Sequence, residues 1–202
     1  MANYCEASDV QAAMPDVDWT EKYTALLTLL CGRASRLIDR VTKRHDNAYL
    51  VSTATARLFD GSGCREQWVD EMAAAPTLVE VDEVGDFTYT TWSSTDYMVW
   101  PYNALAEGLP LLRLDIDQLN GDKSVWYRSP KSVRVTAKWG YSTTPPEDIK
   151  QATIIQAIRW FKRSQQAYQD VGAIVELGQL RYVNALDRDV VAIIDHYRKV
   201  VI

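Results

Sequence analysis

The chain has 202 residues, 47% of them hydrophobic, and its 22 basic and 27 acidic residues give a net charge of −5. A chain of this length buries roughly 70% of its unfolded surface, so it needs neither a metal ion nor a disulfide to fold. The excess of acidic over basic residues argues against a protein that binds nucleic acid over its whole surface. It is compatible with a protein that surrounds DNA without binding it.

The three cysteines, at positions 5, 31 and 64, have no short spacing between them. They fit neither a disulfide framework nor a zinc site, and they indicate free thiols in a reducing cytoplasm. The first ten residues lack a basic and apolar leader, and the longest apolar run, near 25–31, is too short to span a bilayer. We therefore expect a protein that is neither exported nor bound to a membrane.

Residues 1–48 are predicted to form two helices. Ser8 and Gln11 have the spacing of a capping box, and Pro15 is expected to end the short helix that follows. A second helix is predicted from Asp18 to about Arg44, because apolar residues recur at three- and four-residue spacings. These residues are Tyr23, Leu26, Leu27, Leu30, Ala34, Leu37, Ile38 and Val41.

The second helix also carries a stripe of arginines, since Arg33, Arg36, Arg40 and Arg44 follow one another at spacings of three and four. This stripe could be a solvated face, a face that meets the carboxylates of a neighbouring subunit, or a DNA contact. No aromatic residues interleave with it, which disfavours single-strand binding.

Residues 49–141 are predicted to form a β-rich insertion, either an antiparallel sheet or a small barrel. The segments ATARLF, TLVEVDEV, FTYTTW, DYMVW, LLRLDI and SVRVTAKW alternate, and turn signals separate them. The sequence FDGSGC at 59–64 is expected to form a hairpin turn, because its glycines lack the spacing of a phosphate-binding loop. The acidic residues at 80–83 and 115–117 fit a solvent-facing strand edge better than a metal site.

Residues 142–202 are predicted to complete the helical part of the fold. The sequence Thr144-Pro145-Pro146-Glu147 indicates a helix start, and the helix is expected to end near Gly172. Its apolar surface is wide, because Ile154, Ala157 and Phe161 lie off the main stripe. Such a helix is either deeply buried or shared with a neighbouring subunit.

The remaining segment, 173–185, is compatible with a hairpin about Gly178-Gln179 or with a projecting loop. A last helix is predicted from about Asp187 to Arg198, with Val190, Val191, Ile194 and Tyr197 on one face. The predicted fold class is therefore α+β, with N-terminal and C-terminal helices packed together around a central antiparallel β insertion.

Residues suited to catalysis are scarce. The two histidines, His45 and His196, are far apart, and no set of nucleophile, base and orienting group can be named. We expect no enzyme, no metal ion and no cofactor. Each of the seven tryptophans is suited to core packing, but their number predicts that some of them anchor protein–protein interfaces.

The order of segments resembles that of the head–tail connector proteins of tailed bacteriophages, also called adaptor or head-completion proteins. The resemblance spans nearly the whole chain, from the N-terminal helix pair to the C-terminal DRDVVAIIDHYRK. It rests above all on VRVTAKWGYSTTPPEDIKQA, a strand followed by Trp-Gly-Tyr and then by Pro-Glu-Asp at a helix start.

This resemblance implies a non-enzymatic ring, usually of twelve subunits, in the neck of a virion assembled in the host cytoplasm. Such a ring docks beneath the portal, extends the DNA channel, and supports a stopper or tail-completion protein. Genomic DNA would pass through it without sequence-specific binding. We expect the isolated chain to be monomeric or weakly associated. The portal would act as the template on which the subunits assemble into a ring.

Three groups of residues are assigned to this assembly as expectations. The portal-docking residues are Val190, Val191, Ile194, Tyr197 and Ile202. The subunit-interface residues are Arg33, Arg36, Arg40, Ile154, Ala157 and Phe161. The residues that would face the channel or the next ring are Glu176, Gln179 and Arg181.

Two other functions remain open at this point. A stopper or tail-completion protein is the nearer one, although those proteins are mostly β-barrels and this chain begins and ends with helices. A helical nucleic-acid-binding protein is the more distant one, and the arginine stripe is the feature that suggests it.

Overall fold

The structure is a computed structural model that describes residues 3–17, 19, 21–165, 171–174, 179–182 and 186–199. The helices within these residues are α1 (Ala7–Ala12), α2 (Glu21–Val41), α3 (Glu147–Gln165) and α4 (Arg188–Asp195). The strands are β1 (Thr55–Phe59), β2 (Glu66–Met72), β3 (Leu78–Val81), β4 (Thr90–Thr91), β5 (Tyr97–Trp100), β6 (Leu111–Ile116), β7 (Val133–Ala137), β8 (Val171–Ile174) and β9 (Gln179–Tyr182). The predicted α+β fold, with helices at both ends and antiparallel sheets between them, is confirmed.

The chain divides into two compact units. Residues up to Asn47 and from Pro145 onward form one of them, which we call the helical unit; it contains α1–α4 and the β8–β9 pair. Residues Ala48–Thr144 form the other, the β unit, which contains β1–β7.

The core of the helical unit lies where α2 and α3 pack against each other, with α1 alongside. Its buried residues include Leu27, Leu30, Cys31, Ala34, Ile154, Ala157 and Phe161. The Phe161 ring packs against Trp19 and Tyr23, at centroid distances of 5.3 and 5.5 Å. The wide apolar surface of α3 is thus covered within one chain, and Ile154, Ala157 and Phe161 are not exposed at a subunit interface as we had expected.

Several helix ends differ from the sequence expectations: α2 is Glu21–Val41 rather than 18–44, and α4 ends at Asp195 rather than Arg198. The cap of α1 is Glu6 rather than Ser8, because the Asp9 carboxylate accepts a hydrogen bond from the Glu6 backbone N–H at 2.8 Å. Gly172 does not terminate α3, because it lies in β8 opposite Arg181 of β9.

Of the two alternatives for segment 173–185, the structure contains the hairpin. Strands β8 and β9 pair antiparallel, with Ile174 opposite Gln179. The predicted turn at 178–179 falls at the start of β9, and residues 175–178 lie outside the described residues.

The β unit consists of two antiparallel sheets over a shared core. One sheet has the strand order β1-β7-β3-β4 and the other has the order β2-β6-β5. Val133 and Val135 of the first sheet and Leu111 and Leu114 of the second belong to one buried cluster. At its centre lies Trp126, which is fully buried and stacks on Trp92 at 4.5 Å.

The glycine-containing segment at 60–64 does not form the hairpin turn that we predicted, because β1 and β2 belong to different sheets. The chain instead crosses from one sheet to the other and packs tightly on the segment around Tyr127. A Cβ atom at Gly61 would lie 1.8 Å from the Tyr127 carbonyl oxygen. Only glycine fits this backbone approach.

Candidate functional site

An open groove with a volume of about 840 Å³ runs along α2 of the helical unit. Its walls are formed by successive turns of α2, by Asn3 and by one aromatic residue of α3. The residues that define it are Leu29, Arg33, Arg36, Leu37, Arg40 and Trp160. We call this feature the arginine groove, and it contains three of the four arginines of the predicted stripe.

Arg36 is fixed in the groove by a buried carboxylate beneath it. Its guanidinium lies 3.0 Å from the Asp39 carboxylate and 5.4 Å from the centre of the Tyr4 ring. Asp39 also accepts hydrogen bonds from the Tyr4 hydroxyl and, at 3.0 Å, from the Asn47 backbone N–H. Burial raises the pKa of Asp39, and the Tyr4 and Arg36 contacts only partly offset it.

Arg33 and Arg40 differ from Arg36, because both are exposed and neither has an ion pair among the residues that the structure describes. Leu29, which also lines the groove, is 49% exposed. The groove therefore combines an apolar wall with two guanidinium groups at its rim. Such a surface suits an occupant that is both apolar and acidic.

The residues expected to dock on the portal are divided by the structure into a buried pair and a partly exposed pair. Val190 and Ile194 are fully buried within the helical unit, so the exposure that we expected for them is not observed. Val191 and Tyr197 are partly exposed. Ile202 lies outside the described residues.

Polar contacts fasten α4 to the rest of the helical unit. Asp187 caps α4 by accepting a hydrogen bond from the Asp189 N–H, and it forms a 3.0 Å ion pair with Arg159 of α3. Beyond α4, the Arg44 side chain donates to the Tyr197 carbonyl oxygen, and the Lys199 N–H donates to the Thr42 carbonyl oxygen at 2.9 Å. The C-terminal segment is thus held at the end of α2.

Two of the three residues expected to face a channel or the next ring lie within the described residues. Gln179 and Arg181 lie on β9, and Glu176 lies outside the described residues.

An aromatic cluster on the β unit escaped the sequence analysis. Trp68, Arg113 and Trp100 stand side by side on β2, β6 and β5. The Arg113 guanidinium lies 4.4 Å from the Trp100 ring centre and 5.2 Å from that of Trp68. Trp68 remains 56% exposed, on the face of the sheet opposite the core. Cross-strand alignment brings these residues together, and no pattern within a single strand reveals it.

The acidic residues of the β unit stabilise turns and form ion pairs. Asp82 and Asp117 are buried rather than solvent-facing, in contrast to what their spacing had suggested. Asp117 accepts from the Asn120 side-chain amide at 2.8 Å and the Leu119 N–H at 2.9 Å, and these bonds hold its pKa below the ordinary carboxyl range. Glu80 pairs with Arg134 at 2.5 Å.

The described part of the chain contains no group of three or more His, Cys, Asp or Glu side chains placed to hold a metal ion. Among the described helices, none is both long enough and apolar enough to cross a membrane.

Comparisons with known proteins find similarity in structure and not in sequence. No protein-family model matches the chain, and no curated protein sequence matches it. A chain from the neck of an empty gene transfer agent (GTA) particle, computed with C6 symmetry, is 15% identical with a TM-score of 0.52. The alignment covers 97% of this chain and 90% of that one.

Two further structures are similar over the same share of this chain. A chain from the virion of the native gene transfer agent particle is 17% identical, with a TM-score of 0.50 and 90% of its length covered. A chain from the neck of the native particle, computed with C12 symmetry, is 16% identical, with a TM-score of 0.50 and 92% covered. At these identities the likeness establishes a shared fold.

Proposed function

We propose that this protein is a non-enzymatic structural subunit of the neck of a phage-like particle. Copies form a ring that docks on the portal, extends the DNA channel and joins the capsid to the stopper or tail. The observation that carries the proposal is the fold likeness, over 97% of the chain and with both units included, to chains from the necks of gene transfer agent particles.

Two further observations support a ring. The similar neck structures were computed with C6 and C12 symmetry, which are the rotational symmetries of closed rings. The chain itself carries an open groove and an exposed tryptophan cluster, and apolar surface of this kind marks protein–protein contacts. We assign the ring to the portal-docking position because the resemblance to connector proteins covers the same segments.

The proposed docking surface is the C-terminal segment, with Val191 and Tyr197 as contact residues and Ile202 beyond them. Val190 and Ile194 do not touch the portal in this proposal; their burial fixes the angle at which α4 presents that surface.

The β8–β9 pair, with Glu176, Gln179 and Arg181, faces the channel or the next ring. The net charge of −5 repels the DNA backbone and lets DNA pass through without being held.

The test is capture of the purified chain by purified portal rings, followed by mass photometry at low and high salt. We expect a ring of chains on the portal that persists at high salt, because apolar contacts are not screened. Retention on bare DNA that is lost at high salt, with no capture by portal rings, would indicate a nucleic-acid-binding protein and contradict the proposal.

The docking surface is tested with Val191→Asp and Tyr197→Asp in one chain. Capture should be lost while the circular dichroism spectrum is unchanged, because both side chains are already partly exposed. Leu119→Asp is the matched control, since Leu119 is 94% exposed on the β unit and the proposal gives it no role. Undiminished capture of the double variant removes α4 from the docking surface.

A further inference from the structure

The turn between β3 and β4 presents two large apolar side chains to solvent. Val84 is 77% exposed and Phe87 is 66% exposed, and acidic residues adjoin them at Glu83 and Asp86. An apolar pair this exposed, at the end of a hairpin, adds nothing to the core of the β unit. We call residues 83–87 the β3–β4 tip.

The tip is held in one backbone conformation by Asp82, whose carboxylate is buried beneath it. This carboxylate accepts hydrogen bonds from the N–H groups of Val84 (3.1 Å), Gly85 (2.6 Å) and Phe87 (2.9 Å). Phe87 has a φ of 64°, in the left-handed region that aromatic residues rarely adopt, so these bonds maintain an otherwise unfavourable conformation. Because the tip is already ordered, its insertion into a partner costs little conformational entropy.

The arginine groove of the helical unit has the complementary character. Leu29, Leu37 and Trp160 provide an apolar wall, and the exposed Arg33 and Arg40 stand at the rim. A groove of this kind fits an occupant that is apolar at its centre and acidic at its edge. Within the same chain, the β3–β4 tip is a rigid segment with that pattern.

We propose that the arginine groove binds the β3–β4 tip of a second copy of this chain. Val84 and Phe87 pack on the apolar wall, and the Asp86 carboxylate pairs with Arg33 or Arg40. Glu83 takes a smaller part, because it is already paired with Lys123 at 2.5 Å.

The two surfaces differ, so each copy offers its tip to one neighbour and receives the tip of another. Contacts of this heterologous type repeat around a ring or along an open chain. The inference therefore rests on the proposed ring and names the contact that builds it. A five-residue turn buries less than the roughly 1,200 Å² of a standard stable interface, so each contact is weak and needs a template or a high concentration.

The test uses two variants that each lose one side of the contact. The tip variant carries Val84→Ser and Phe87→Asn, and asparagine adopts positive φ readily, so the turn is preserved. The groove variant carries Arg33→Glu and Arg40→Glu, which are exposed charge reversals. Association is measured by sedimentation velocity up to about 1 mM protein, a concentration at which a contact with a Kd of that size is substantially formed.

We expect the wild-type chain to associate progressively and each variant alone to remain monomeric. An equimolar mixture of the two variants should form dimers and nothing larger, because only one intact tip and one intact groove meet. Arg65→Glu and Leu119→Ser, made together on the β unit, form the matched control and should associate as the wild type does.

Three results overturn the inference: a wild-type chain that is monomeric throughout this range, a mixture that stays monomeric while the wild type associates, or variants that associate normally. Electron microscopy on portal rings separates this failure from that of the proposed function. Rings formed equally well by both variants leave the neck function standing and remove this contact. Absence of a wild-type ring removes the neck function itself.

Discussion

The helical unit and the β unit both leave apolar side chains exposed, but they do so in opposite shapes. In the helical unit, Leu29 and Trp160 line a concave groove that three arginines also line. In the β unit, Val84 and Phe87 stand on a convex turn that the buried Asp82 holds. In the contact that we propose, the helical unit receives a partner and the β unit inserts into one, while each unit has its own buried core.

The largest expected effect tests whether the β unit has a closed core. Trp126→Ala should lower the free energy of unfolding by about 4 kcal/mol, because a fully buried, stacked indole is lost and a cavity remains. Urea denaturation measures the loss, and hydrogen exchange locates it. We expect the loss of protection to be greatest within 48–144.

The counterpart in the helical unit is Phe161→Ala, with an expected cost of about 3 kcal/mol for its ring packed on Trp19 and Tyr23. Its loss of hydrogen-exchange protection should fall mainly on α2 and α3. Equal loss across both units for either variant would show that the two cores are not separate.

A pair of substitutions in α4 separates a core residue from a surface one. Ile194→Ala should cost about 3 kcal/mol, because the side chain is fully buried, whereas Val191→Ala should cost less than about 1 kcal/mol. Thermal or urea unfolding measures both. Similar costs for the two variants would mean that α4 is oriented differently from the structure.

The close approach of Gly61 to the Tyr127 carbonyl gives the next prediction. Gly61→Ala should cost about 2 kcal/mol, because its Cβ would lie 1.8 Å from that oxygen and the backbone must move. Gly108→Ala is the control; it has open space around it but a φ of 71°, so it should cost about 1 kcal/mol. A harmless Gly61→Ala would contradict the packing of the crossing segment.

The smallest effect contrasts two buried carboxylates. Burial raises the pKa of Asp39 in the helical unit, whereas the Asn120 amide lowers the pKa of Asp117 in the β unit. The contribution of Asp39 to stability is full below the ordinary carboxyl pKa and falls as the pH rises through the raised value. The contribution of Asp117 to stability is full above the ordinary aspartate pKa, and it is lost as the pH falls through the lowered pKa of Asp117.

Carbon-13 NMR titration of the two carboxyl groups measures this contrast directly. Asp117 should titrate at lower pH than Asp39, on opposite sides of an ordinary aspartate. The reverse order would contradict the hydrogen-bond networks assigned to these residues.

The sequence predicted elements well where their pattern is local. The three- and four-residue spacing of apolar residues placed α2, and alternation placed six of the seven strands that occur within 48–144. Strand β2 was missed because its inward-facing Gln67 is polar. The Gln67 side chain accepts from the Ser62 N–H at 2.9 Å and donates to the Asp60 carbonyl oxygen at 3.1 Å, so a hydrogen-bonding group occupies a core position.

The candidate sites were predictable only in part, because residue spacing within one element reveals a shared face but not what packs against that face. The spacing of Arg33, Arg36 and Arg40 predicts one stripe, and the structure places all three in one groove. Leu29 and Trp160 complete that groove through the packing of α2 on α3, which sequence spacing does not encode. The exposure expected for Ile194 was wrong, because one apolar face cannot reveal whether it meets a partner or the chain's own core.

The most direct test of the neck assignment is single-particle electron microscopy of the purified chain mixed with portal rings. The account predicts a closed ring of chains on the portal, with α4 and the C-terminal segment against the portal surface and the β3–β4 tip of each copy in the arginine groove of the next. Bare portal rings beside dispersed monomers, at concentrations that saturate any weak contact, would contradict it.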